Sequence, residues 1–297
     1  MITIGEFTKR EYGQKLYKLS LSAGFGCPNR VNDQKGCIFC SESGSGDFAV
    51  DVSFLKNTDT PDPHRLDECF MEAKSKIASK YSGDKFIAYF QAFTNTYAPI
   101  EELRRVFIPI INRDDVAVLS IATRPDCLSE ETYMLLKELT QIKPVWVELG
   151  LQTTKEATAC LIRRGYENNV YSKAIQRLNE LGIHTITHVI LFLPGETKED
   201  MLNTVKHVIN VGSGGIKLQM LQILEGTDLA EEYKKHPFAI PTLTEYTDMV
   251  KECLKLIDDN TVVHRMTGDP PRNLLIEPAW ATDKKRILNY LQKREEK

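Results

Sequence analysis

The sequence predicts an α/β protein built on a parallel sheet, either doubly wound or an incomplete barrel. Three observations carry that prediction. Six apolar runs rich in β-branched or aromatic residues recur along the chain, amphipathic helical patterns lie between them, and the repeat is about thirty to forty residues from the second run onward, the size of a βαβ unit. The runs are nearly continuous in their apolar character, which suits strands covered on both faces.

The six strands are expected at "LYKLSLS" from Leu16, "FIAYF" from Phe86, "VAVLSIA" from Val116, "VWVELGL" from Val145, "HTITHVILF" from His184 and "GIKLQML" from Gly215. Of the helices, "NNVYSKAIQRLNELG" places Val170, Ala174, Leu178 and Leu181 on one face and stops at Gly182. "TKEDMLNTVKHVINVG" opens with Thr197 three residues before Asp200, the pattern of a capping box, and stops at Gly212. The polar, Gly- and Pro-containing stretch from Ser41 to Arg65 reads as a long loop, and the tail from Thr282 as a final amphipathic helix. No linker divides the chain, so 1–297 is expected to be one domain, with the barrel over about 15–225 and a helical and loop extension over 226–297. In such folds, the C-terminal ends of the strands are where active-site residues are sought.

Composition bounds the function. The chain has 297 residues, 42% apolar and 27% charged, which is ordinary for a globular protein with a core. A net charge of −3 gives no global basic field for nucleic acid, although the local patches Arg104-Arg105, Arg163-Arg164, Lys284-Lys285-Arg286 and Lys293-Arg294 remain; each patch taken alone reads first as solvated surface. No apolar run is long enough to span a membrane, and the start lacks a secretory pattern, so the expected location is the cytoplasm. There, disulfides are rare and clustered cysteines read as metal ligands.

The cluster is "CPNRVNDQKGCIFC", Cys27 to Cys40, with nine residues between the first two cysteines and two between Cys37 and Cys40. A structural zinc site or an electron-transfer iron–sulfur cluster would need a fourth ligand, from His64, Cys69 or elsewhere. A four-iron cluster on three cysteines would instead keep one iron open for a ligand. Cys69, Cys160 and Cys253 fall at core-like helical positions, and Cys127 in a loop.

The cysteine loop, including Phe39 before the last cysteine, resembles the spaced variant found in the Elongator-like subgroup of radical S-adenosylmethionine (SAM) enzymes. "KLSLSAGFGCPN", "YFQAFTNTYAP", "SIATRPDCL", "VELGLQT", "RRGY", "HVILFLPGET" and "HRMTGDPP" follow one another in the order seen in the YhcC/YtqA family of that superfamily, over nearly the whole chain. The resemblance implies an incomplete (β/α)6 barrel with short terminal extensions. It also implies a 4Fe-4S cluster on Cys27, Cys37 and Cys40, SAM on the open iron, and release of a 5′-deoxyadenosyl radical.

Further roles follow from the same resemblance. The Gly-Gly-Glu motif that binds the SAM amino group in many relatives is absent here; Gln91 or Asn95 offers an amide oxygen in its place. Thr123, Glu148, Gln152, Arg163 and His188 are the other cofactor-side candidates. Glu148 lies among apolar strand residues, where a carboxylate is costly unless paired, and Arg163 offers a guanidinium fork for the SAM carboxylate. Tyr97, Lys217, Gln219, Arg265 and Asp269 are the substrate-side candidates. Lys217 and Gln219 alternate with Ile216 and Leu218 and so point to one face. The family resemblance ties the chain to tRNA: conversion of a carboxymethylaminomethyl group to aminomethyl on the wobble uridine of an anticodon loop, with a reductant such as flavodoxin or ferredoxin. The Elongator acetyltransferase domain has no counterpart in the sequence. Structural alternatives stand beside these roles: a polar strand end for Gln91, a surface cation for Arg163, a satisfied core histidine for His188 and a rigid turn for Gly268 to Pro271.

Overall fold

In a computed structural model, which describes residues 1–31, 36–44 and 48–292, the chain runs as follows. β1 (Ile2–Thr3) and α1 (Ile4–Tyr12) precede β2 (Tyr17–Ser22), β3 (Val50–Asp51) and α2 (Pro63–Ser75). Then come β4 (Phe86–Phe90), α3 (Ile100–Ile111), β5 (Val116–Thr123), α4 (Glu130–Leu139) and β6 (Val145–Gln152). α5 (Glu156–Leu161), α6 (Asn168–Glu180), β7 (His184–Leu191), α7 (Lys198–Asn210) and β8 (Gly215–Met220) complete the repeating part. The remainder holds β9 (Ile223–Leu224), α8 (Asp228–Lys235), α9 (Leu243–Leu256), β10 (Val262–Arg265), β11 (Leu275–Glu277) and α10 (Lys284–Gln292).

Nine strands form one sheet in the order β1-β10-β8-β7-β6-β5-β4-β2-β3, and every neighbouring pair is parallel. The six strands read from the sequence are its central run. The sheet curls with helices outside and stays open, since β1 and β3 end the order unpaired with each other. It is therefore an incomplete barrel and not a doubly wound sheet. β9 and β11 make a separate antiparallel pair.

The alternation of side chains along each strand divides the apolar residues into two sets. Outward residues such as Leu19, Leu21, Phe90, Leu119, Val147, Val189 and Leu218 pack on the helices in the main core. The inward set is small: Leu16, Ile87, Tyr89, Val118, Ala122, Trp146 and Ile186. At the N-terminal ends of the strands, Trp146 meets His184 and His264, and Phe7 of α1 stacks on His184 at 5.5 Å between ring centres. This aromatic group closes the barrel floor, and the interior is open only toward the C-terminal ends.

Local signals act as the sequence indicates at several points. Thr197 caps α7: its hydroxyl accepts from Asp200 N at 3.2 Å, and the Asp200 carboxylate accepts from Thr197 N at 2.8 Å. The segment read as one long loop from Ser41 to Arg65 holds β3, a short turn of 3-10 helix (Ser53–Asn57) and the start of α2. Asp62 caps α2 by accepting from His64 N, and Pro63 opens the helix where a missing N–H costs nothing. Cys160 is exposed on the short α5 and is not a core residue, whereas Cys253 is buried. Lys293 and Arg294 lie outside the described residues. No helix among the described residues is long and apolar enough to cross a membrane.

Candidate active site

A cavity of about 870 Å³ opens at the C-terminal ends of the strands. Cys27, Cys37 and Cys40 line one side of it, and the inward side chains of β2, β4, β6, β7 and β8 form its depth.

The cysteine loop is held by its backbone and its polar neighbours. Arg30 N bonds back to Cys27 O at 2.9 Å and Cys40 N to Cys37 O at 3.1 Å, so each end of the loop is a tight turn. The Arg30 guanidinium collects the carbonyls of Cys40 and Glu42 at 3.1 Å each. Ile38 N donates to Ile162 O at 3.2 Å and Ile38 O accepts from Leu229 N at 2.9 Å, which straps the loop between α5 and α8. Ile38 and Phe39 pack there against Ile162, Leu193 and Leu229. The Asn29 amide donates to Arg163 O at 2.7 Å and Arg164 O at 3.2 Å, and reaches Cys37 Sγ at 3.5 Å. Gly165 permits that approach, because a Cβ there would lie 2.7 Å from Asn29 Oδ1. Arg163 adopts a left-handed backbone (φ 56°), which is strained for a residue with a side chain. That turn presents its carbonyl to the loop.

The thiols are not equivalent. Cys37 is lowered to about 6 by a hydrogen bond from the Cys40 thiol, against its burial, with help from Asn29 and the Arg124 and Arg163 cations. Cys40 is pushed well up by the same hydrogen bond and by burial. A thiolate is the ligand form, so Cys37 is poised near neutrality and Cys40 ionises on binding.

These residues fit a cubane better than a single ion. Among the described residues, no three His, Cys, Asp or Glu side chains converge in a way that holds one metal ion. A zinc site needs its ligands all within ~2.3 Å of one point. A four-iron cluster places its thiolates on separate irons and needs no such point. The fourth-ligand candidates do not help zinc: Cys69 Sγ donates to Asp51 O at 3.5 Å away from the cavity, and His64 is exposed at the start of α2.

Glu148 is the centre of the barrel interior. It is fully enclosed and accepts from four side chains. Oε1 takes Lys18 Nζ and Ser120 Oγ, the latter at 2.8 Å. Oε2 takes Lys217 Nζ and His188 Nε2, the latter at 2.7 Å. Burial opposes its charge, but Lys18, Lys217 and His188 outweigh burial and hold the carboxyl well below the usual range. Burial lowers His188 to about 4, so the ring is neutral and its Nε2–H donates to Glu148. The Nδ1 lone pair is then left as an acceptor. Burial also drives the Lys217 ammonium well down, which Glu148 opposes and the cations of Lys18 and Arg265 reinforce. Tyr89 accepts from Lys217 at 3.2 Å, and its ring lies 4.2 Å from Lys18 Nζ and 4.5 Å from Lys217 Nζ.

The cavity gathers Phe39, Gln91, Thr123, Glu148, Gln152, His188, Lys217, Gln219, Arg265 and Asp269 with the cysteines. Gln152 sits at a left-handed turn (φ 62°) that ends β6 and turns its amide inward, and Tyr166 Oη lies 3.4 Å from it. Arg265 reaches Gln219 and Asp269, each at 3.4 Å, and Asp269 is also held by Lys284 of α10 at 2.9 Å. Three candidates lie outside the lining. Asn95 is buried and donates to Ala92 O and Ala122 O at 3.0 and 2.8 Å, joining the ends of β4 and β5. The Arg163 side chain pairs with Asp228. Tyr97 is exposed beside the mouth. Lys18, Tyr89 and Arg124 were not singled out by sequence. Lys18 alternates with Leu19 and Leu21 like a solvated strand face, and only closure of the sheet makes that face the interior. Arg124 is held by Asp126 at 2.7 Å and by Arg164 O at 2.9 Å beside the cysteines.

With that geometry, comparison with known proteins is decisive. The Radical SAM superfamily model matches residues 21–208, and the Radical_SAM C-terminal domain model matches 214–297. The chain belongs to the radical SAM superfamily. A relative in Bacillus subtilis, described as uncharacterized protein YtqA, is 39% identical over 296 residues, 98% of this chain and 88% of that protein. Protein YhcC of Escherichia coli is 31% identical over 283 residues, 94% and 87% of the two chains. A tRNA uridine(34) acetyltransferase of Methanocaldococcus infernus is 24% identical over 162 residues, 54% of this chain and 30% of that protein. The structure of Elp3 from the same archaeon superposes with a TM-score of 0.62 at 18% identity, over 78% of this chain and 61% of that one, which shows the shared fold. The radical SAM family uses a 4Fe-4S cluster and SAM, and the three-thiol loop described above fits that pair.

Proposed function

We propose that the chain is a tRNA-modifying radical SAM enzyme that acts on the C5 side chain of the wobble uridine, converting carboxymethylaminomethyl to aminomethyl. Cys27, Cys37 and Cys40 would hold the cluster. Gln91, Thr123, Glu148, Gln152 and His188 would make the polar wall along which SAM lies. When bound, the cluster and SAM supply a 5′-deoxyadenosyl radical able to take hydrogen from an unactivated C–H bond.

The chain's own residues do the rest. The aromatic floor keeps water from entering beneath. Glu148 fixes the His188 tautomer and keeps Nδ1 an acceptor. Asp269, between Arg265 and Lys284, ties α10 to the wall of the mouth.

The observation that carries this reading is the set of three cysteines opening onto one deep polar cavity at the strand ends. The tRNA assignment is supported by the partial match to the uridine(34) acetyltransferase and by the character of the mouth. Several cations that looked available in sequence are spent on acids: Arg104 on Glu138, Arg105 on Asp59 and Lys284 on Asp269. Arg164 is buried. Contact with RNA therefore falls to the cavity rim, where exposed Lys80 and Phe48 offer a phosphate partner and a stacking face.

The test is anaerobic incubation of reconstituted enzyme, SAM and reductant with tRNA bearing the carboxymethylaminomethyl group, followed by nucleoside mass spectrometry. The expected result is aminomethyluridine formed with deoxyadenosine. Deoxyadenosine without any change in the tRNA would move the substrate to a small molecule or peptide.

A further inference from the structure

The depth of the cavity is rich in donors and poor in acceptors. Glu148 is saturated, since its two oxygens already accept four hydrogen bonds. Lys18 Nζ gives Glu148 one of its three N–H groups; its other contact is the Tyr89 ring. Lys217 Nζ gives one to Glu148 and one to Tyr89 Oη. The Tyr89 hydroxyl accepts from Lys217 and directs its own proton toward Glu148. Two lysine side chains thus share one carboxylate. The Arg265 cation stands above them, and the acid nearest it, Asp269, is already held by Lys284 at 2.9 Å. Two lysines that share one carboxylate leave N–H groups directed into the cavity, and an anion is what satisfies such donors.

We infer that the depth of the cavity, above the aromatic floor, is an oxyanion receptor: the substrate arm that enters the cavity ends in a carboxylate or phosphate-type group, which lodges between Lys18 and Lys217 beneath Arg265. This rests on the reading that substrate shares the cavity with the cofactor. It assigns Lys18 and Lys217 to specificity and leaves Glu148 as the residue that positions both. The Glu148 carboxylate makes the site selective as well, because it repels an anion that approaches without displacing the lysine N–H groups toward it.

The test uses the reconstituted holoenzyme at constant ionic strength, titrated calorimetrically with N-acetylglycine, its neutral amide N-acetylglycinamide, and inorganic phosphate. The same preparation is assayed for deoxyadenosine with SAM and reductant alone, so failure of the radical reading is seen separately. Saturable binding of N-acetylglycine at least tenfold tighter than its amide is expected, with SAM leaving that affinity unchanged. Saturable binding of phosphate alone supports the receptor and assigns it to a phosphate-type group. Lys217→Met is expected to weaken the oxyanion at least tenfold without lowering the melting temperature, because Glu148 keeps Lys18 as partner; Lys206→Gln, exposed on α7 and outside the cavity, should change little. Should Lys217→Met not fold, the comparison of acid with amide on the wild type still decides. Equal affinity for acid and amide with no binding of phosphate, no saturable binding of either oxyanion, displacement by SAM, or equal losses in Lys206→Gln and Lys217→Met would each overturn the inference.

Discussion

Glu148 keeps its charge and His188 loses its own although both are shut away from water, because their neighbours differ. Four donors replace the water that Glu148 gave up. The histidine has the Glu148 contact, but its burial and the Lys217 cation outweigh that, and it stays neutral. His184 is likewise lowered to about 4 by burial, and His264 is driven well down by burial and by Lys18. A histidine whose folded value is depressed binds fewer protons folded than unfolded. Its contribution is complete above the unfolded value of about 6.5 and is lost as pH falls through about 4. The melting temperature should therefore hold above pH 6.5 and drop steeply toward pH 4, each histidine adding up to ~1.4 kcal/mol per pH unit inside the window. Thermal melts from pH 4 to 8, with His184→Phe beside wild type, check this. The variant should show the shallower slope, and equal slopes would refute the assignment to His184. Parts of this site were legible in sequence. Glu148 stands out as a carboxylate in an apolar strand, and Lys217 and Gln219 share a strand face. Lys18 was not, because alternating polar residues on β2 look the same whether they face water or the inside of a curled sheet.

At the scale of elements, the cysteine loop depends on groups far from it in sequence. Asn29 ties it to the carbonyls of Arg163 and Arg164, and Ile38 ties it to α5 and α8. Residues that orient metal ligands without touching the metal typically change affinity ten- to a hundredfold. Asn29→Ala is expected to fold normally but to lose iron to a chelator about tenfold faster than wild type. Iron release followed by absorbance, beside a circular dichroism melt, measures both; unchanged release would contradict the strapping role. The "RRG" motif shows the limit of motif reading. Its sequence signals a useful arginine, but Arg163 pairs with Asp228 while Arg164 turns inward to the carbonyls of Leu151 and Thr153 at 3.0 and 2.7 Å. The motif's backbone carbonyls, not its guanidinium groups, face the cysteines. Long strands such as β4, β5 and β8 were readable from composition. The two-residue β1 and β3 and the four-residue β10 were not, because their pairing partners, and not their own residues, make them strands.

For the whole molecule, those short strands set the architecture. β1 and β10 bring the N-terminus against the segment that follows α9, with the Met1 amino group 2.7 Å from Asp259. They extend the sheet beyond β8 and leave a gap between β1 and β3. The segment from 226 onward therefore contributes a strand to the main sheet besides the β11 pairing, the helices and the Asp269 turn. An open barrel floored by Trp146, His184, His264 and Phe7 has its working space at one end, and the cysteines stand there. The most direct measurement of the central claim is deoxyadenosine formed by anaerobically reconstituted protein with SAM and a strong reductant, comparing wild type, Cys37→Ala and Cys69→Ala. The account predicts product from wild type and Cys69→Ala and none from Cys37→Ala. Product from Cys37→Ala at the wild-type rate, or an intact wild-type cluster that never cleaves SAM, would contradict it.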